Sequence, residues 1–225
     1  MNVARFVPLF VLLLTACTPN ASEPPQSAGL VERARVSMGS EVHLTAWTAD
    51  ESGALRAFEK AFDEFDRLDR LLSVWKDGSD VLRVNAGAGQ SAVRVSPETL
   101  EVLRVGRQVS EWTGGKFDIT FGALSGLWKF DQDQDDQIPR AEDVQRQLPL
   151  IDYQAVEVNM EAGTVFLQRA GMRMHFGGIG KGYAVDRAAA ILRANGVTNF
   201  LIQSGGDLYV GGTRGDRPWR SGIRD

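Results

Sequence analysis

The residues with the clearest chemical potential lie at His175-Phe176-Gly177-Gly178-Ile179-Gly180-Lys181-Gly182-Tyr183-Ala184-Val185-Asp186. Four glycines within six positions, followed by a helical pattern, place bare backbone amides at a helix N-terminus, and Lys181 adds a full positive charge beside them. The pattern is neither a Walker A loop nor a Rossmann fingerprint, because the glycine spacing fits neither. Two readings stand: a phosphate or pyrophosphate turn, or a plain strand-to-helix connection. A second cluster, Gly205-Gly206-Asp207, reads first as a tight turn with an acidic residue. A third, Thr113-Gly114-Gly115-Lys116-Phe117-Asp118-Ile119-Thr120, sets a lysine and a carboxylate around one aromatic ring and runs on to Leu127-Trp128. A flat ligand ring or the core itself explains that phenylalanine equally. The fourth, Leu72-Ser73-Val74-Trp75 through Asn85, reads as a loop in which Trp75 is a stacking platform or a plug at the end of a helix. Asp131, Asp133 and Asp135 suggest a calcium loop with Glu142 twelfth, but Asp136 stands at the sixth position, where the glycine is needed. A solvated acidic loop is the better reading.

The elements that must position these groups follow from periodicity. Val31 to Trp47 alternates as a strand. Gly53 to Leu72 carries Ala54, Phe58, Ala61, Phe62, Phe65, Leu68 and Leu72 on one helical stripe. Ser96-Pro97-Glu98-Thr99 opens a second helix, with a serine cap and proline in the first turn, that stops at Gly114-Gly115. A short helix is expected near Glu142 to Gln147, then a hairpin of Ala155 to Asn159 with Thr164 to Gln168. The glycine turn Gly177 to Gly182 leads into a helix from Tyr183 to about Asn195. Phe200 to Gln203, Leu208 to Val210 and Trp219 to Ile223 read as the last strands. Strands and helices do not alternate one for one, so the class is α+β with mixed or antiparallel sheets and packed helices.

The first residues read as an export signal. Arg5 supplies the positive end, and Phe6 to Leu14 is apolar apart from Pro8, too short for a bilayer core of about 30 Å. Leu14-Thr15-Ala16-Cys17 resembles a lipobox. The expectation is a signal peptide over 1–16, a lipidated tether over 17–30 and one domain over 31–225, with lipid on Cys17. Thr18 to Gly29 is rich in proline, serine and asparagine and suits such a tether. The expected place is the bacterial cell envelope, facing the periplasm, with sorting to the outer membrane favoured by Thr18. Cys17 is the single cysteine, so an intramolecular disulfide is excluded. Acidic residues outnumber basic ones by 29 to 25, which gives no cationic surplus for nucleic acid.

Taken in order, these segments resemble the ApbE-type flavin transferases. Met38-Gly39-Ser40 is similar to that family's M-G-T turn, and Leu71 to Asn85 and Gly115 to Trp128 to two of its loops. Gly177 to Asp186 and Ser204 to Val210 are similar to its two glycine motifs. The resemblance implies a two-lobed domain that binds FAD and, with Mg2+, moves FMN to a threonine hydroxyl of an acceptor flavoprotein, releasing AMP. It implies FAD contacts at Met38, Trp75, Lys116, Phe117, Asp118, His175 and Lys181, and a metal contact through the Gly178 carbonyl. His175 stands where the family usually has aspartate. The family's remaining third, with an aspartate and a threonine of the metal site, has no counterpart in the sequence up to Asp225. FAD hydrolysis, or flavin binding without turnover, are the alternative activities.

Overall fold

The computed structural model describes residues 27–128 and 137–222. The signal segment, Cys17, most of the tether and Asp131, Asp133 and Asp135 lie outside the described residues. The chain opens with a hairpin, β1 (Gly29–Ser37) and β2 (Ser40–Thr48), rather than the single strand expected over Val31 to Trp47. Met38 (φ 50°) and Gly39 (φ 72°) supply the two left-handed residues that a tight hairpin turn requires. Such a turn also swaps parity. Val31 and Ser37 face the core from β1, whereas Val42, Leu44 and Ala46 do so from β2, and Val36 is left in solvent.

Helix α1 (Glu51–Leu72) follows, with Asp50 accepting the Gly53 N–H at 2.8 Å as its cap. The stripe read from the sequence is its buried face. It lies across β1 and β2 and against α5 (Gly180–Ala194). Strands β6 (Phe200–Ser204) and β7 (Asp207–Gly211) complete an antiparallel sheet in the order β1-β2-β6-β7. A second antiparallel sheet is ordered β3-β5-β4, from β3 (Val93–Arg94), β4 (Val156–Asn159) and β5 (Thr164–Leu167). The expected hairpin is therefore present as β4 and β5. One continuous hydrophobic cluster joins both sheets and the long helices. The class is α+β, as the sequence implied.

Three expectations need correction. The segment from Leu72 to Asn85 is not all loop, because α2 (Asp80–Ala86) begins inside it, capped by Ser79. Seven residues give too little periodicity to show in the sequence. Helix α5 begins at Gly180, not Tyr183, because the Phe176 carbonyl accepts both the Ile179 and the Gly180 N–H. Trp219 to Gly222 is not a strand; Trp219 instead donates its indole N–H to the Gly211 carbonyl at 3.1 Å. The remaining helices, α3 (Pro97–Trp112) and α4 (Ala141–Gln147), fall where expected.

Asp80 joins α2 to α3. Its Oδ2 accepts the Ser96 backbone N–H and the Thr99 hydroxyl, both at 2.7 Å, and its other oxygen pairs with Arg83. Burial pushes the Asp80 carboxyl up, but the Ser96 N–H, the Thr99 and Ser96 hydroxyls and Arg83 outweigh it and leave the pKa lowered. A lowered folded pKa means the stabilisation is complete above the unfolded value of about 3.9 and is lost as pH falls through the folded value. Asp80→Ala should therefore cost about 3 kcal/mol at pH 7, by stranding buried donors. Urea melts should show the wild-type advantage shrinking toward pH 3. An equal gap at both pH values would contradict this reading of the carboxylate.

Candidate functional site

The start of α5 separates two cavities. One, of about 410 Å3, is walled by the β1–β2 turn at Met38 and Gly39, the end of α1 with Trp75, and the segment His175 to Lys181. The other, of about 590 Å3, lies between α3 and α5, with Val102, Val105 and Ile179 as apolar wall and Glu101, Asp186 and Asp207 as carboxylates. Gly177 and Lys181 border both. Cavities of this size suit a small molecule or cofactor.

The local chain leaves backbone amides and a lysine together at this edge. Ile179 caps α5 without a side-chain hydrogen bond. The first residues of a helix have amides with no intrahelical acceptor, and the Gly180 amide is the one taken up here, by Phe176 at 2.7 Å. The Lys181 and Gly182 amides follow at the positive end of the helix dipole. Close approach favours glycine at two positions. A Cβ on Gly178 would lie 3.2 Å from Phe117 Cε2, and one on Gly177 would lie 2.7 Å from His175 Cε1. Gly180 receives Met38 Cε and Phe176 Cβ, each 3.7 Å from where its Cβ would be.

Of the residues singled out in the sequence, Met38, Trp75, His175 and Lys181 meet around the smaller cavity, and Gly178 borders the larger. Trp75 is 73% exposed. That settles its two readings against the plug and leaves an open aromatic face at the cavity wall. Phe117 lines neither cavity but supports Gly178 from behind. Asp118 is turned into the protein: Oδ1 accepts the Thr120 N–H (2.8 Å) and hydroxyl (2.6 Å), and Oδ2 accepts the Tyr153 N–H (2.8 Å). Lys116 is exposed and lines neither cavity.

His175 is fixed at both ends. Its backbone N–H donates to the Ile119 carbonyl at 2.8 Å, and its Nδ1 accepts the Gly177 N–H at 2.9 Å. Its ring also lies 5.1 Å from that of Phe121. The bond from Gly177 is the one an aspartate at position 175 would accept in an Asx turn, so imidazole takes over the local role of a carboxylate. Asp69 also reaches the smaller cavity, with its carboxylate held by Lys76 at 2.6 Å. Sequence reading missed this pair, which faces across the end of α1, and missed Tyr183 and Asp186 as a cavity wall. The spacing of three between Tyr183 and Asp186 on α5 was the available signal for the latter.

Among the described residues no group of three His, Cys, Asp or Glu is arranged to hold a metal ion. Gly178 offers a carbonyl alone, so the described residues do not by themselves supply the oxygen shell that Mg2+ demands. The fit to a dinucleotide is better. Two adjoining cavities meet at a helix N-terminus with a lysine that has no hydrogen bond or ion pair among the described residues, and one cavity has an exposed indole.

Residues 38–225 match the ApbE family. A Klebsiella pneumoniae (strain 342) protein named FAD:protein FMN transferase is 30% identical over 219 residues, covering 95% of this chain and 62% of its own length. The apo form of the Pseudomonas stutzeri flavinyl transferase ApbE superposes with a TM-score of 0.79 at 27% identity, covering 87% of this chain and 62% of that one. The Thermotoga maritima ApbE protein gives 0.78 at 25% identity, covering 88% and 64%. The chain thus spans about three-fifths of the length of these relatives. On sequence and fold together, this chain belongs to the ApbE family.

Proposed function

We propose that this chain is the flavin-binding part of an FAD:protein FMN transferase. The reaction moves FMN from FAD to a threonine hydroxyl of an exported or membrane redox protein and releases AMP. The observation that carries this reading is the uncapped start of α5, with Lys181, standing between an aromatic-walled cavity and a second cavity. FAD has the matching anatomy: a flat ring, a pyrophosphate and a nucleoside. In this reading Trp75 stacks on the isoalloxazine, and the Lys181 and Gly182 amides with the Lys181 ammonium hold the pyrophosphate. The Phe176 carbonyl and the glycines keep that turn rigid.

The bond changes are those of phosphoryl transfer. The threonine oxygen attacks the FMN phosphorus and gives its proton to water, the P–O bond to the bridging oxygen breaks, and AMP leaves with that oxygen. Such a reaction asks chiefly for an in-line arrangement and for neutralisation of phosphate charge, which is what the start of α5 supplies. Mg2+ belongs to the proposal through the family resemblance. Attachment to the membrane by a lipid on Cys17 is likewise proposed, on the strength of Leu14-Thr15-Ala16-Cys17.

The direct test uses protein made in its own host, incubated with FAD, Mg2+ and a threonine-bearing acceptor. Covalent flavin fluorescence on the acceptor is expected, with AMP released in step. AMP release with no labelled acceptor would instead identify a pyrophosphatase, and neither product would contradict the proposal. Trp75→Ala should leave the thermal midpoint near wild type, because the ring is exposed, while FAD affinity falls about tenfold through the lost stacking. His175→Asp should keep the Gly177 turn and bind FAD within about threefold of wild type, whereas His175→Ala should lose about 1 kcal/mol of stability with its acceptor. Comparable stability in the two His175 variants would contradict the turn-holding role. Cys17→Ser should move the protein from the membrane to the soluble fraction on cell fractionation.

A further inference from the structure

Two buried hydroxyls lie at the ends of β2 and β6, near the turn that Lys181 approaches. Among the described residues, Ser40 Oγ and Ser204 Oγ are buried side-chain polar atoms without a hydrogen-bond partner. Both sit on the sheet face that α5 covers. Ser204 continues the buried alternation of Phe200 and Ile202, and Ser40 begins that of Val42, Leu44 and Ala46. They flank the β6–β7 turn, where a Cβ on Gly205 would lie 3.4 Å from Ser40 Oγ and 3.4 Å from Lys181 Nζ. The ammonium has no hydrogen bond or ion pair among the described residues. A half-buried cation and one orphaned hydroxyl therefore meet at Gly205, and the second hydroxyl belongs to the residue just before it in the chain.

An unpaired buried hydroxyl destabilises the fold, so its presence calls for a partner that is acquired in another state. We propose that Ser40 and Ser204 are positioning residues for Lys181. When a ligand phosphate occupies the start of α5, the ammonium directs one N–H to the phosphate and the others to the two serine hydroxyls. An ammonium has three such donors and no acceptor, so the count closes. Neutral hydroxyls suit the task better than a carboxylate would. They fix the direction of the lysine while leaving its charge for the phosphate, whereas an aspartate would neutralise it. This inference rests on the reading of the site as a flavin dinucleotide pocket.

The test compares Ser40→Ala, Ser204→Ala and Ser40→Thr by FAD titration, riboflavin titration and thermal melting of the ligand-free proteins. Riboflavin keeps the ring and lacks phosphate. Each alanine variant should bind FAD about tenfold more weakly, bind riboflavin as wild type does, and melt no lower than wild type, because an unpaired hydroxyl has been removed. Ser40→Thr keeps the hydroxyl and should hold FAD affinity within about twofold of wild type. The inference is overturned if the alanine variants bind FAD like wild type. It is overturned equally if they lose FAD and riboflavin together with a lower melting point, which is the mark of a purely structural role. Wild-type protein that binds riboflavin but gains nothing from the phosphates of FAD would remove the dinucleotide reading itself, and this inference with it.

Discussion

The arrangement depends on how α5 begins. One carbonyl, that of Phe176, accepts two successive N–H groups, from Ile179 at 3.0 Å and Gly180 at 2.7 Å, and so launches the helix inside the glycine run. Glycine in a helix costs about 1 kcal/mol relative to alanine, and Gly180 and Gly182 both occupy the first turn. The return is proximity. Phe117 and His175 close onto the turn at distances that a side chain on Gly178 or Gly177 would disturb. The amides beyond the Phe176 carbonyl are thereby held rigid and open to a ligand.

Everything nearby serves that edge. Helix α1 runs the length of the first sheet and ends at Leu72, which contributes to the smaller cavity along with Ser73, Val74 and Trp75. The β1–β2 turn brings Met38 over Gly180, and the β6–β7 turn brings Gly205 to Lys181. Asp118 fixes its own loop to the chain before β4, so that Phe117 stands behind Gly178 and Ile119 holds the backbone of His175. A residue matched to ligand contact by resemblance thus has both carboxylate oxygens engaged in architecture. Its effect on the site passes through the ring next to it.

Much of this was legible in the sequence, for physical reasons. Eight buried side chains of α1 repeat at helical spacing, and Ser96 with Pro97 announces α3 chemically. The glycine run was legible as the entry to α5, although the start of the helix was placed three residues late. A glycine-rich first turn carries no side-chain periodicity to betray it. The β1–β2 hairpin was hidden because Met38 is not a residue type that advertises a left-handed conformation. Helix α2 was too short to declare itself. Which side of the turn each residue would face, and the convergence of Ser40, Ser204 and Lys181, depend on strands far apart in the chain. Single-sequence patterns carry no such pairing.

The central claim is that the start of α5 holds the phosphates of a flavin dinucleotide, and the most direct measurement is calorimetric. FAD and riboflavin should be titrated into wild-type protein and into Lys181→Met at two salt concentrations. The account predicts that wild type binds FAD at least about tenfold more tightly than riboflavin, since a charge-assisted contact contributes that much. It also predicts that this advantage shrinks in high salt and largely disappears in Lys181→Met, with riboflavin affinity unchanged. Equal binding of the two flavins by wild type, or an FAD advantage that survives the loss of Lys181, would contradict it.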